Sequence, residues 1–167
     1  MTYSFFVECV PPTVTAQQKG VRVCGRRPVF FTKKKVERSQ AMLWRLFEGH
    51  RPPVPFNGAL RVTVVMTFPW RKSETKANRA RGWMPMPVAP DWDNLAKTPF
   101  DVLSKLSFWC DDGQVFDGRL VKGWGDRPGI RVMIEPVEAA PGCAIARTGF
   151  LPPAADAEVQ LKNPSPL

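Results

Sequence analysis

The residues best suited to chemistry fall within one short stretch of this sequence. Asp91 and Asp93 stand one residue apart, Lys97 follows four residues after Asp93, and a second acidic pair, Asp111 and Asp112, comes after an apolar segment. In extended backbone, residues i and i+2 point the same way, so Asp91 and Asp93 are expected on one side of the chain. Two neighbouring carboxylates without a neutralising partner are costly unless solvent or a cation stands between them. Oxygen donors of this kind suit a hard cation such as Mg²⁺. The four-residue spacing puts Lys97 on the helix face of Asp93. Phosphodiester hydrolysis uses this combination: metal ions activate the attacking water and neutralise developing charge, and a fixed cation steadies the transition state or leaving group. One helix out and one turn back is expected to return Asp111 and Asp112 to the same place.

Each feature also has a plainer reading. Asp93 can be only a helix N-cap, and Lys97 a solvated ion-pair partner worth a few tenths of a kcal/mol. Asp111 and Asp112 can be turn residues before Gly113. Spacing does not choose between Asp111 and Asp112 as a ligand.

These residues need elements to hold them. Thr2–Val10 reads as a short strand ended by Pro11 and Pro12. Residues 13–28 read as loop, punctuated by Gly20, Gly25 and Pro28. Thr32 is a plausible N-cap for a helix over Lys33–Phe47, where Val36, Leu43 and Phe47 fall at helical spacing. Ala59–Phe68 is the clearest strand, and Pro69–Pro90 follows as a long basic loop. Asp93–Leu106 reads as a helix kinked by Pro99; the rival is a fresh helix at Pro99 capped by Thr98, with Asp101 at N3. Phe116–Trp124 and Ile130–Val137 read as strands, and the intervening GDRPG carries the turn signals of a hairpin. From Glu138 onward an Ala- and Pro-rich composition suggests a flexible tail.

The stretch PDWDNLAKTPFDVLSKLSFWCDDGQVFDGRLVK, residues 90–122, resembles the signature of RusA-type Holliday junction resolvases. That signature runs Asp-x-Asp-Asn-Leu-x-Lys, Asp-x-Leu, Asp-Asp-x-Gln-Val, then a Lys. Here it is met by Asp91, Asp93, Asn94, Leu95, Lys97, Asp101, Leu103, Asp111, Asp112, Gln114, Val115 and Lys122. A basic Arg-Pro segment before a helix (GRRPVFFTKKK) and the flanking strands extend the likeness to about residues 3–137. The resemblance implies an α+β fold: one compact domain over 1–137 with a mixed β-sheet and two main helices, active as a homodimer. It implies an endodeoxyribonuclease that resolves four-way DNA junctions by paired nicks, in recombination and repair. Carried over residue by residue, it implies Mg²⁺ (or Mn²⁺ in its place) on Asp91, Asp93 and Asp112, with Lys97 as the catalytic cation. Asp111, Asp101, Asn94, Gln114 and Lys122 would be accessory. Pro99 and the length of the 69–90 loop depart from the usual pattern.

Charge agrees with a polyanionic partner. The chain carries 24 Lys and Arg against 15 Asp and Glu, a formal charge of +9, which attracts nucleic acid or anionic membrane. Basic residues flank the acidic motif: Arg26, Arg27, Lys33, Lys34 and Lys35 before it, then Arg71, Lys72, Lys76, Arg79 and Arg81. They are expected to contact DNA phosphates and to make binding salt-dependent. Trp70, Trp83 and Phe30 are candidates to stack on unpaired bases. The apolar runs are too short to span a bilayer, and no signal peptide is apparent, so a cytoplasmic location is expected. Cys9, Cys24, Cys110 and Cys143, with His50 as the sole histidine, do not make a zinc pattern. The competing classes are a basic DNA-binding protein without catalysis and a nuclease of the same fold for other branched DNA.

Overall fold

A computed structural model describes residues 2–14, 19–24, 27–32 and 34–137. The chain order is β1 (Tyr3–Glu8), β2 (Lys19–Cys24), β3 (Arg27–Thr32), α1 (Lys34–Phe47), β4 (Ala59–Pro69), α2 (Lys76–Arg79), β5 (Trp83–Pro85), α3 (Trp92–Lys105), β6 (Val115–Gly125) and β7 (Gly129–Val137). Five strands form one sheet in the order β1-β7-β4-β6-β5, and β2 pairs with β3 in a separate ribbon. β4 runs parallel to β6 and antiparallel to β7, so the sheet is mixed, as expected for this α+β chain.

Alternation decides which face of β4 is covered. Leu60, Val62, Val64, Met66 and Phe68 are buried, while the residues between them are half-buried. A strand presents successive side chains to opposite faces, so the first set forms the core wall. α1 adds Val36, Leu43 and Phe47 to the buried set, and α3 adds Leu95, Val102 and Leu103. Ile130, Val132 and Ile134 of β7 and Phe5 and Val7 of β1 are buried too. The Phe5 ring packs on Phe47 and Phe108 and stacks on His50 at 4.6 Å.

Four expectations are corrected. Residues 19–24 and 27–32 are strands rather than loop; Lys19–Cys24 alternates β-branched residues, and pairing with β3 satisfies its backbone. Thr32 ends β3, two residues before the helix that begins at Lys34, so it does not stand at the N-cap position. The GDRPG segment does not close a hairpin. β4 lies between β6 and β7, and the chain passes over the end of β4, because that strand, apolar on one face throughout, takes the centre of the sheet. The 69–90 segment contains α2 and β5. Thr75 caps α2 by accepting from the Asn78 amide at 3.2 Å, and Glu74 ties the turn together through Arg71 and the Asn78 side chain.

α3 runs unbroken through Pro99, so the rival helix beginning there is excluded. Thr98 is buried and its Oγ1 has no protein partner, so it caps nothing. The far end is closed by a Schellman pattern: Ser107 N–H donates to Ser104 O and Phe108 N–H to Leu103 O. Ser107 takes the left-handed position (φ 58°) that favours glycine. Residues 138–167 lie outside the described residues, as do Arg26, Lys33 and the side chain of Phe30.

Candidate active site

Asp91 is the N-cap residue of α3, with Asp93 in the first turn. The pair therefore sits on a helix start, not in an extended run. The Asp91 side chain makes no capping hydrogen bond. None of the ion pairs among the described residues involves Asp91, Asp93 or Lys97. All three are exposed, and Asp93 and Lys97 line an open groove of about 420 Å³ with Trp92, Ala96, Phe100, Val115 and Gly118. The two carboxylates are thus uncommitted oxygen donors beside a cation, which in kind fits a hard metal ion.

The segment leading into them is clamped onto β6. Lys122 Nζ donates to the carbonyls of Val88 at 2.7 Å and Pro90 at 2.5 Å. Met86 N–H donates to Lys122 O at 3.1 Å, and Trp92 Nε1 to Leu120 O at 2.7 Å. Lys122 therefore acts on the site through backbone: it fixes the turn from which Asp91 projects. The Ala89–Pro90 peptide in that turn is cis.

The structure does not bring Asp111 or Asp112 back to this end of α3. Asp112 Oδ1 accepts from Ser104 Oγ and from Trp109 Nε1, the latter at 3.1 Å. Ser104 follows Asp93 by eleven residues of one continuous helix, a rise of roughly 16 Å. The chain turns into β6 directly from the C-terminal end of α3, so the expected return does not occur. No group of three or more Asp, Glu, His or Cys with metal-holding geometry exists among the described residues of one chain.

Asp111 and Asp112 do different work. Asp111 caps a 3₁₀ turn over Asp112–Gln114: its Oδ1 accepts from Gly113 N–H at 2.7 Å, and Gln114 Oε1 accepts from Asp111 N–H. Gln114 Nε2 also donates to Gly58 O at 3.0 Å and Phe56 O at 3.3 Å, tying the turn to the 51–58 connection. This capping box is the turn reading realised for Asp111. Asp112 uses one oxygen on Ser104 and Trp109, and its Oδ2 has no protein donor among the described residues. Asn94 Oδ1 is buried without a protein partner one turn before Thr98. Asp101, half-buried on α3, is in none of the ion pairs among the described residues.

The basic residues divide likewise. Arg71 is committed: it pairs with Glu74 at 2.7 Å and lies over the Trp124 ring at 4.4 Å. Arg79 donates to Arg71 O. Lys72, Lys76, Arg81, Arg27, Lys34 and Lys35 are exposed. Trp70 is half-buried, with its Nε1 on Asp126 at 2.7 Å, while Trp83 lies flat on Gly123 at the sheet edge and stays 37% exposed. The sequence reading missed Asp117, which joins Arg61 on the neighbouring strand and Arg119 on its own. Hydrogen bonds from Arg119, then Arg61, hold its carboxyl below the usual range. The i, i+2 spacing of Asp117 and Arg119 is visible in sequence, but the pairing with Arg61 is not.

An uncommitted acidic pair beside a lysine at a helix start, on a mixed sheet, is a set of oxygen donors suited to a hard cation. Comparison with known families is more specific. The family model described as endodeoxyribonuclease RusA matches residues 10–135, and the chain belongs to that family. Over 32 residues it is 59% identical to the crossover junction endodeoxyribonuclease RusA of Escherichia coli K12, covering 19% of this chain and 27% of that one. The same figures hold for the enzyme of that name from Enterobacteria phage 82. The match thus spans about a quarter of the length of these curated relatives. A longer match, 32% identity over 95 residues, is to protein YqaN of Bacillus subtilis, covering 54% of this chain and 66% of that one. No helix among the described residues is long and apolar enough to cross a membrane.

Proposed function

We propose that this protein is a Mg²⁺-dependent endodeoxyribonuclease that nicks four-way DNA junctions as a homodimer, in recombination and repair. The observation that carries the reading is the uncommitted Asp91–Asp93 pair with Lys97 one turn on, at the matching motif of a RusA family member. Relatives carry the name crossover junction endodeoxyribonuclease, which supports branched DNA as substrate. Asp91 and Asp93 would hold the metal, with Mn²⁺ a substitute. A bound metal ion would supply an activated water and charge neutralisation. Lys97 would stabilise charge developing on the scissile phosphate. Lys122 would keep the Asp91 turn in register. The exposed Lys72, Lys76, Arg81, Lys34 and Lys35 would hold the DNA backbone, with Trp83 available for stacking.

The test is cleavage of a labelled four-way junction with Mg²⁺ and with EDTA, against linear duplex as competitor. Metal-dependent paired nicks are expected, and Asp93→Asn should abolish cutting while binding persists. A second reading, DNA binding without catalysis, draws on the missing third ligand within one chain. Junction binding with no nicking in Mg²⁺ or Mn²⁺ would establish it instead.

A further inference from the structure

We propose that Trp83 is a stacking plate for an unpaired base at the branch point, and that this contact, separate from the acidic pair, gives the protein its preference for branched over linear DNA. The proposal rests on the nuclease reading above and names the part of the substrate that this surface takes.

The plate is built by β6. Phe68 and Trp124 are buried in the core, so their neighbours Thr67, Gly123 and Gly125 stand on the opposite face of the sheet. A Cβ at Gly123 would lie 2.3 Å from Cε2 and Cζ2 of Trp83 and 2.6 Å from its Nε1, and one at Gly125 would lie 3.2 Å from its Cδ1. The indole therefore spans both glycines and rests directly on backbone. Glycine inside a strand weakens it and marks places where another group approaches the backbone closely. Here the missing side chains let a large ring lie flat on the sheet, one π-face down and the other towards solvent. Covering the strand would not need this floor, because a β-branched side chain at 123 would shield the same backbone and favour the strand.

The ring is held but not spent. Gly82, at φ 73°, turns the chain onto the sheet. Its carbonyl accepts from Asp126 N–H at 3.2 Å, and Met86 N–H donates to Lys122 O at 3.1 Å, so the backbone is tied on both sides of Trp83. Trp70, Trp92 and Trp109 each donate Nε1 to a protein acceptor, whereas Trp83 Nε1 has none among the described residues. Trp83 stays exposed and is not one of the side chains packed on the core. The occupant follows from charge and position. Lys76, Arg79 and Arg81 lead into Trp83 and Arg127 follows Gly125, all exposed, while the intervening Asp126 is engaged by Trp70. These cations draw a polyanion to the plate, and a bare π-face takes any nucleobase. Lys122, the residue before the glycine floor, reaches to the other side of the strand and clamps the turn that presents Asp91. Plate and acidic pair thus flank one strand edge, and a base within a few nucleotides of the scissile phosphate reaches the ring. Linear duplex keeps its bases stacked, and taking one out costs least where it is already unpaired.

Binding without catalysis tests this in the full-length protein. In EDTA the wild type should bind a four-way junction more tightly than linear duplex of the same sequence. Trp83→Leu keeps an apolar contact on the glycines but has no π-face. It should bind the junction roughly ten- to a hundred-fold more weakly, with duplex affinity unchanged. The salt dependence of junction binding should also be unchanged, because no phosphate contact is lost. Trp83→Phe should recover most of the loss. Gly123→Ala keeps the indole but lifts it off the strand, and should lose the junction preference in the same way. A second arm uses the wild type alone. A junction with 5-iodouracil at the crossover should cross-link under near-ultraviolet light to the peptide containing Trp83, and a duplex with the same base should not. Wild-type junction affinity in Trp83→Leu overturns the proposal, as does an equal loss on junction and duplex. Cross-linking confined to other peptides overturns it whatever the variants do. If the wild type binds selectively and cross-links at Trp83 but never nicks in Mg²⁺ or Mn²⁺, the nuclease reading falls and the plate stands. If it nicks while Trp83→Leu binds like the wild type, the plate falls and the nuclease reading stands.

Discussion

Lys122→Met isolates positioning from chemistry, because Lys122 is bonded to the backbone that presents Asp91. The substitution keeps most of the stem and removes both bonds to the Val88 and Pro90 carbonyls. Hydrogen bonds from charged groups contribute about 1.5–3 kcal/mol each when well shielded. Here Lys122 is half-buried and Val88 is exposed, so water replaces much of the loss. A total of about 1–2 kcal/mol follows, equivalent to a melting temperature lower by about 3–6 °C for a chain of this size. The effect on nicking should be larger. A displacement of about 1 Å in a reacting group costs on the order of 100-fold in rate, and the turn is otherwise tethered here by Met86 and Trp92. The assay pairs thermal unfolding with single-turnover nicking across a Mg²⁺ titration. The Mg²⁺ midpoint should rise, and Lys122→Arg should recover part of the rate. Nicking at the wild-type rate and Mg²⁺ midpoint would refute the reasoning. So would a rate loss no greater than the fraction unfolded.

Other outcomes follow from single contacts. Gly123→Ala places a Cβ 2.3 Å from the Trp83 ring, so the ring must leave the strand; the cost should be about 1–3 kcal/mol in denaturant unfolding, with a red-shifted tryptophan emission. Ser107→Gly relieves a left-handed residue in the Schellman turn and should stabilise by about 0.5–1 kcal/mol, read as a higher denaturation midpoint. Glu74 is held below its usual 4.5 by the Asn78 amide and then by Arg71, and Asp117 below 3.8 by Arg119 and then Arg61. A lowered folded value means these contributions are complete above the unfolded values and fade as pH falls through the folded ones. Melting temperature should therefore decline on acidification below about pH 4.5, and Glu74→Gln should flatten part of that decline.

Much of the fold was legible because it rests on local pattern. The alternation in 59–69 and the 3.6-residue spacing in 34–47 each expose one apolar face, and those faces meet in the core. The helix at 92–105 was legible too, though Pro99 offered a false break. Being buried on the sheet, that helix tolerates one missing backbone bond. The 19–32 ribbon was missed because glycines and a proline interrupt a pattern only six residues long in each strand.

The sequence by itself determined the chemical inventory: two aspartates and a lysine at a helix start, a second acidic pair, basic flanks, and membership in one family. Residue type and short spacing are local quantities, and a helix start holds Asp91, Asp93 and Lys97 near one another without help. Tertiary structure decided the rest. It assigned Asp111 to a capping box and pinned Asp112 to Ser104. It made Lys122 a clamp on the Asp91 turn and set β4 between two strands that read as a hairpin. The physical reason is that a helix carries its two ends apart by its rise, and sequence proximity across it says nothing about proximity in space. Asp112, close to Asp93 in the sequence motif, stands at the far end of the same helix.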